Sequence, residues 1–294
     1  MSELSVFRSF LPFIQDIEAV ESQALKLPQV ACDVIHRFAP GIYIREVFIP
    51  AGTFAIGHKQ RFDHLNVFLK GKVLIVKEDR STELLTAPMS FTGRPGRKVG
   101  YILEDMYWQN IYATDERDIE KLEELFFEKD ASFKAHESEE FIAQSLFLSE
   151  DREDYVAMVA EMGMTPDQVS AQVHNLADQI DFPESSYKLS ILSSPLHGKG
   201  LFASAAIAEG EVIAPSRING KRTPAGRYTN HSKTPNCVMR KTPLGDIELV
   251  AKKAIKGYHG GMPGDELTVD YRQAINECYE ASRITLCQPL PPQL

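Results

Sequence analysis

Cysteine is scarce in this 294-residue chain and follows no framework. Cys32, Cys237, Cys278 and Cys287 form no CxxC pair, which excludes a zinc knuckle or a disulfide scaffold and leaves buried or idle thiols. Long apolar runs are missing too, since no stretch approaches the roughly 18 residues a membrane helix needs. The N-terminal MSELSVFRSF lacks a signal-peptide layout, so a soluble protein of a reducing cytoplasm is expected. Basic residues are outnumbered, 32 Lys and Arg against 41 Asp and Glu, for a formal charge of -9. Nucleic acid is therefore not an expected partner, and neither is a membrane. Internal repeats and low-complexity tracts are absent. What is present, 43% hydrophobic and 25% charged residues, is enough to build real cores without covalent staples.

From Ile42 to about Ala113 short β-prone runs alternate with turn residues: IYIREVFIPAGTFAIGH, HLNVFLKGKVLIVKED, SFTGRPGRKVGYILED and MYWQNIYAT. Val67 and Leu69 beside Asn66 and Lys70, with Gly71 and Glu78-Asp79 as turn candidates, predict a meandering antiparallel sheet in a sandwich or barrel. After Ala113 the period changes. TDERDIEKLEELFF carries early acids and apolar positions at Ile119, Leu122, Leu125 and Phe126, which predicts a helix. The charged segment 128–140 suits a linker. Two short helices are expected around Gly163, the second capped at Thr165 with Pro166 in its first turn. The tail QPLPPQL is expected to be extended.

Three motifs follow in the last third of the chain: Gly198-Lys199-Gly200-Leu201 within LHGKGLFASAAIAEGEVI, then RYTNHSKTPNC with Tyr228, Asn230 and His231, then PGDELTVDYR ending in Tyr271 and Arg272. A GxG alone is a tight turn in many proteins. In this order and within about 90 residues, the three resemble the SET domain of protein lysine methyltransferases. Asn230-His231-Ser232 and Pro235-Asn236 match that family's NHSCxPN, with Lys233 in the place of its cysteine, and GDELTVDY matches GEELTxDY.

The resemblance implies a β-fold with a pseudoknot that binds S-adenosylmethionine through Gly198, Lys199, Gly200, Leu201, Tyr228, Asn230 and His231, with Tyr271 catalytic and a protein lysine as substrate. An attacking amine must be neutral and aligned with the sulfonium methyl. Positioning and water exclusion therefore carry most of the rate, and an unperturbed lysine, with a pKa of about 10.4, must lose its proton. Three departures bear on this. The segment that builds the family's peptide groove is reduced to APSRINGKRTPAG, a second tyrosine near that strand is missing, and NECYEASRITLC has no CxC zinc spacing. The open side is then left for another part of the chain, here the N-terminal barrel, to cover. Short SET domains of this kind resemble viral and bacterial members, placing the protein in a bacterial or host cytoplasm or in a virion.

IPAGTFAIGHKQRFDHLNVFLKGKV with SFTGRPGRKVGYILED resembles a small cupin. Where that family's HxH holds a metal, His58 matches the first ligand and Gln60 replaces the second. No metal is expected, His58 and His64 being the only weak candidates. The expected fold is thus mostly β with a helical connector: a cupin-like β-barrel with flanking helices over 1–127, an acidic linker and connector over 128–186, and a SET domain with its tail over 187–294. Exposed strands make a homo-oligomer the expected assembly. The rival to the methyltransferase is a structural or assembly scaffold, such as a viral particle component, that keeps both folds as binding modules.

Overall fold

The computed structural model describes residues 17–76, 81–145 and 148–282. The Glu78-Asp79 turn and the QPLPPQL tail lie outside the described residues. The first helix among the described residues, α1 (Ile17–Ala24), precedes strands β1 (Val34–Ala39), β2 (Ile42–Ile49), β3 (Phe54–Ile56), β4 (Lys59–Gln60), β5 (His64–Val76), β6 (Thr82–Thr86), β7 (Met89–Gly93) and β8 (Val99–Ala113). Alternation sets the register. Tyr43, Arg45 and Val47 of β2 oppose Tyr112, Asn110 and Trp108 of β8, so one face of each strand turns inward. The inner face carries a core of Phe68, Val73, Leu85, Ile102, Met106 and Trp108.

The expected antiparallel sheet is present, but the expected closed barrel is not. Eight strands run in the order β10 (Ser186–Tyr187)-β1-β2-β8-β5-β6, with β3 on β8 and β7 on β5, and among the described residues no pairing joins the two ends. The long strands β5 and β8 bend at register shifts between Phe68 and Val73, curling the sheet without closing it. The opening is packed by helix α2 (Ile119–Phe126), whose Phe126 ring stacks on Tyr112 at 4.1 Å. Asp118 caps α2 by accepting from the amides of Glu120 and Lys121. Ile119 and Leu122 are fully buried, while Leu125 faces out.

The segment expected as a linker is instead helical. Strand β9 (Phe127–Glu128) leads into α3 (Ala131–Ser145). That helix shows almost no apolar stripe, and its anchor is the buried Phe133. A buried ionic cluster adds to it: Arg97 pairs with both Glu21 of α1 and Asp130, and Ser132 donates to Glu21 at 2.8 Å. The next two helices, α4 (Ser149–Glu161) and α5 (Pro166–Val173), flank Gly163. Thr165 and Gln168 form a reciprocal capping box at the start of α5.

Strand β10 (Ser186–Tyr187) returns to pair with β1. The remaining elements are β11 (Leu189–Ser193), β12 (Lys199–Ala203), β13 (Val212–Ile218), β14 (Lys221–Arg222), α6 (Pro224–Tyr228), β15 (Asn230–His231), β16 (Cys237–Lys241), β17 (Ile247–Ala251), β18 (Thr268–Val269) and α7 (Tyr271–Ser282). One core runs through both halves: Tyr43, Tyr112 and Leu122 belong to the same buried cluster as Leu189, Leu201, Ile247 and Val269. Main-chain bonding crosses as well, the Val34 amide donating to the Ser204 carbonyl at 2.8 Å. No helix among the described residues is long and apolar enough to cross a membrane.

Candidate functional site

The three C-terminal motifs, separated by up to about 70 positions, meet at one place. β15 and β18 pair in parallel, Asn230 beside Thr268 and His231 beside Val269. The Asn236 side chain closes the junction by donating to the Glu266 carbonyl at 2.8 Å and accepting from the Thr268 amide at 2.9 Å. Asn230 reaches the first motif, its amide donating to the carbonyls of His197 and Lys199 at 3.2 and 3.1 Å and to the Glu266 carboxylate at 2.8 Å.

Glu266 links all three motifs. Its carboxylate accepts from the Ser194 hydroxyl as well as from Asn230. Gly200 is needed for that approach, because a Cβ there would lie 2.3 Å from the carboxylate oxygen. Burial raises the Glu266 pKa, and the hydrogen bonds from Asn230 and Ser194 oppose that rise. Sequence reading placed this residue in an acidic turn; the only available signal was its position between Gly264 and the alternating Leu267-Thr268-Val269. Gly198 sits at φ +56°, with nothing within 4 Å of an added Cβ, so it is glycine for its backbone conformation. Lys199 turns away to pair with Glu120 of α2, while Leu201 is wholly buried.

His231 is buried and held at both nitrogens. The Tyr271 amide donates to its Nδ1 at 3.1 Å, so Nε2 carries the proton that meets Asp154 at 2.9 Å. The Tyr271 hydroxyl donates to the Thr229 carbonyl at 3.0 Å. Burial is the main cause that pushes its pKa well up, keeping it a neutral phenol. Tyr228 packs against the core with the Arg227 guanidinium 5.2 Å from its ring centre.

The open side of this junction is covered by α4, not by the N-terminal sheet. Asp151 accepts from the Ser232 hydroxyl and the Lys233 amide at 3.0 and 2.7 Å. Arg272 donates to Asp154 and Glu161 at 3.0 and 2.9 Å. The Arg272 and His231 hydrogen bonds together hold the Asp154 carboxyl below its ordinary pKa. Tyr155 lies edge-on to Tyr271 with ring centres 6.1 Å apart, and stacks on His197 at 6.2 Å. Sequence reading missed Tyr155 and Asp154 because they sit in an acidic helix 42 to 118 positions from their partners.

The short segment APSRINGKRTPAG is likewise walled by the connector. Ile180 donates its amide to the Arg222 carbonyl at 2.9 Å, and the Arg222 guanidinium clasps Asp178 at 2.8 Å.

The weak metal candidates are not brought together. His58 packs edge-on against Phe133 at 4.9 Å, whereas His64 stacks on Tyr112 and bonds the Phe62 carbonyl. Gln60 accepts from the Tyr112 hydroxyl at 2.7 Å. Among the described residues no group of three or more His, Cys, Asp or Glu side chains is placed to hold a metal ion.

No protein family pattern matches the chain, and no curated protein matches it. Among solved structures, it is similar to a cupin-2 domain containing protein from Shewanella frigidimarina at 13% identity, covering 26% of this chain and 74% of that one, with a TM-score of 0.22. It is also similar to a cupin domain from Bordetella pertussis at 16% identity, 30% and 98% coverage and a TM-score of 0.25. A third is a putative ethanolamine utilization protein Q from Salmonella typhimurium, at 8% identity, 29% and 71% coverage and a TM-score of 0.25. The strand register described above, rather than these likenesses, establishes that the fold is mostly β.

Proposed function

We propose that the C-terminal part is an S-adenosylmethionine-dependent protein lysine N-methyltransferase of SET type with a reduced substrate groove. The observation that carries this reading is the convergence of the Gly198–Gly200 turn, Asn230-His231 and Tyr271 on one junction organised by Glu266. The residues fit the group. Asn230 spends its amide hydrogens on protein carbonyls and leaves its Oδ1 as an acceptor for an ammonium, and the side of Gly198 is open. When bound, S-adenosylmethionine supplies an electrophilic methyl on a cationic sulfur.

The chain's own residues do the positioning. Tyr271 donates its proton to Thr229, which leaves its oxygen lone pairs to accept from an incoming amine. Raised by burial, the phenol orients the amine rather than removing its proton. Tyr155 adds the aromatic wall that the short insert does not provide. Asp154 is already paired with Arg272 and His231, so it does not hold the entering lysine protonated. A homo-oligomer and a cytoplasmic location belong to the same reading.

The scaffold reading is favoured by one feature: His231, Ser232, Asn236 and the Tyr271 hydroxyl are each already bonded within the protein. Incubation with methyl-tritiated S-adenosylmethionine and a lysine-bearing peptide pool separates the two. Label on the pool, absent when every lysine is replaced by arginine, is the expected result. No label on either pool or on the chain itself would sink the methyltransferase reading.

A further inference from the structure

A cavity of about 430 Å³ opens inside the curled N-terminal sheet. Its walls are mostly aliphatic, among them Val47, Ile49, Val99 and Ile102, and that volume suits a small organic molecule. Three cations line it: Arg45, Lys98 and Lys129, the last already paired with Glu137 at 2.8 Å. Arg45 projects from the middle of β2, its guanidinium 5.3 Å from the Phe127 ring centre, and its buried Nε has no hydrogen-bond partner. Lys98 places its Nζ 5.9 Å from the Trp108 ring centre. Arg45 and Lys98 have no ion-pair partner among the described residues, although Glu21 and Glu123 also border the cavity. His58, on the same wall, leaves its buried Nδ1 unbonded.

Arg45 and Lys98 are half-buried, and cations drawn even partly out of water are ordinarily paired. Nearby Arg97 shows the ordinary solution, with Glu21 and Asp130 at its two ends. Arg45 lacks that solution while facing an empty volume. We infer that this cavity is a binding site for an organic monocarboxylate with an apolar body, its carboxylate on the Arg45 guanidinium beside Lys98 and its body against the aliphatic wall.

A guanidinium fork matches a carboxylate in one plane. Glu21 and Glu123 on the same lining repel a dianion more than a single negative charge, which favours a monocarboxylate over a phosphate. Desolvation lowers the Lys98 pKa, so an arriving anion gains most from the permanently charged Arg45. The far rim is formed by Tyr258, Gly260 and Gly261, which places the ligand next to the segment that leads to Asp265 and the third motif.

The chain's single tryptophan, Trp108, lines this cavity and reports its filling. The full chain would be titrated with 4-phenylbutyrate and straight-chain carboxylates from butyrate to decanoate, each beside its primary amide and the corresponding alkyl phosphate. The expected result is a saturable fluorescence change in which at least one carboxylate binds at least tenfold tighter than its amide. Arg45→Met should abolish that preference without lowering the melting temperature of the ligand-free protein. Lys98→Met should weaken it and serves as the second variant if Arg45→Met does not fold. Equal binding of acid and amide, tighter binding of the phosphates, or no saturable response across the series would each overturn the assignment.

Discussion

Tyr271→Phe is expected to lower kcat for methyl transfer by about 10²–10³-fold while leaving the affinity for S-adenosylmethionine within about twofold. The size follows from what the hydroxyl does. It makes no contact with the Asn230 cradle and bonds instead to Thr229, so its loss removes an oriented acceptor needed only when the amine is aligned, a class of interaction worth that much in rate. The fold should lose about 1 kcal/mol, the net worth of one hydrogen bond, because the ring keeps its packing against Tyr155 and His231. Single-turnover kinetics beside a denaturant curve would separate these effects. An unchanged rate would remove Tyr271 from the chemistry, and lost cofactor binding would make it a structural element of the pocket.

Stability should fall steeply in mild acid, and His36 and His58 set most of the slope, with His64, also lowered by burial, acting in the same direction. His36 stacks on Tyr43 and shares a 2.7 Å hydrogen bond with its hydroxyl, while its Nε2 is buried without a partner. His58 sits among Phe127, Phe133 and the cations of the cavity. Burial first, then Arg45 for His36 and Lys129 for His58, pushes both pKa values down to about 3 from an ordinary 6.5. Depressed values mean that the folded state holds both rings neutral. The unfolded chain takes up two protons below about pH 6.5 that the folded chain refuses until about pH 3.

The stabilisation is therefore complete above about pH 6.5 and lost as pH falls, at about 2.7 kcal/mol per pH unit once both unfolded rings are charged. Glu116, held below its ordinary pKa by the amides of Asp118 and Arg117 against the opposing effect of burial, adds to the loss at lower pH; Glu266, raised by burial, works against it. With a total stability of about 5–15 kcal/mol, the chain should unfold between about pH 5 and 3. Urea midpoints measured from pH 7 to 4.5 would check this. His58→Phe should remove about one proton from the slope, and a flat profile would contradict the buried neutral assignment.

How much of this was legible in the sequence depended on distance along the chain. The strands of residues 64–113 and the Thr165 cap are written in alternation and in local side-chain chemistry, and both were read correctly. Barrel closure was not legible, because it depends on whether the first and last strands pair. Helix α3 was misread for a related reason. ASFKAHESEEFIAQS has charges on every side, and what anchors it is Phe133 and an ion cluster reaching back to Glu21. At the candidate site, the order of the three motifs singled out segments that the fold brings to one junction. Tyr155, Asp154 and Glu266 were not recognisable, since their roles exist only once α4 lies across β15 and the Gly200 turn reaches the third motif.

A working cofactor pocket at the junction of the three motifs should reveal itself in calorimetric titration of the full chain with S-adenosylmethionine. Micromolar binding by the native chain, lost by at least tenfold in an Asn230→Ala variant that keeps its thermal transition, is the predicted result. No heat of binding from the native chain, or equal binding by the variant, would contradict it.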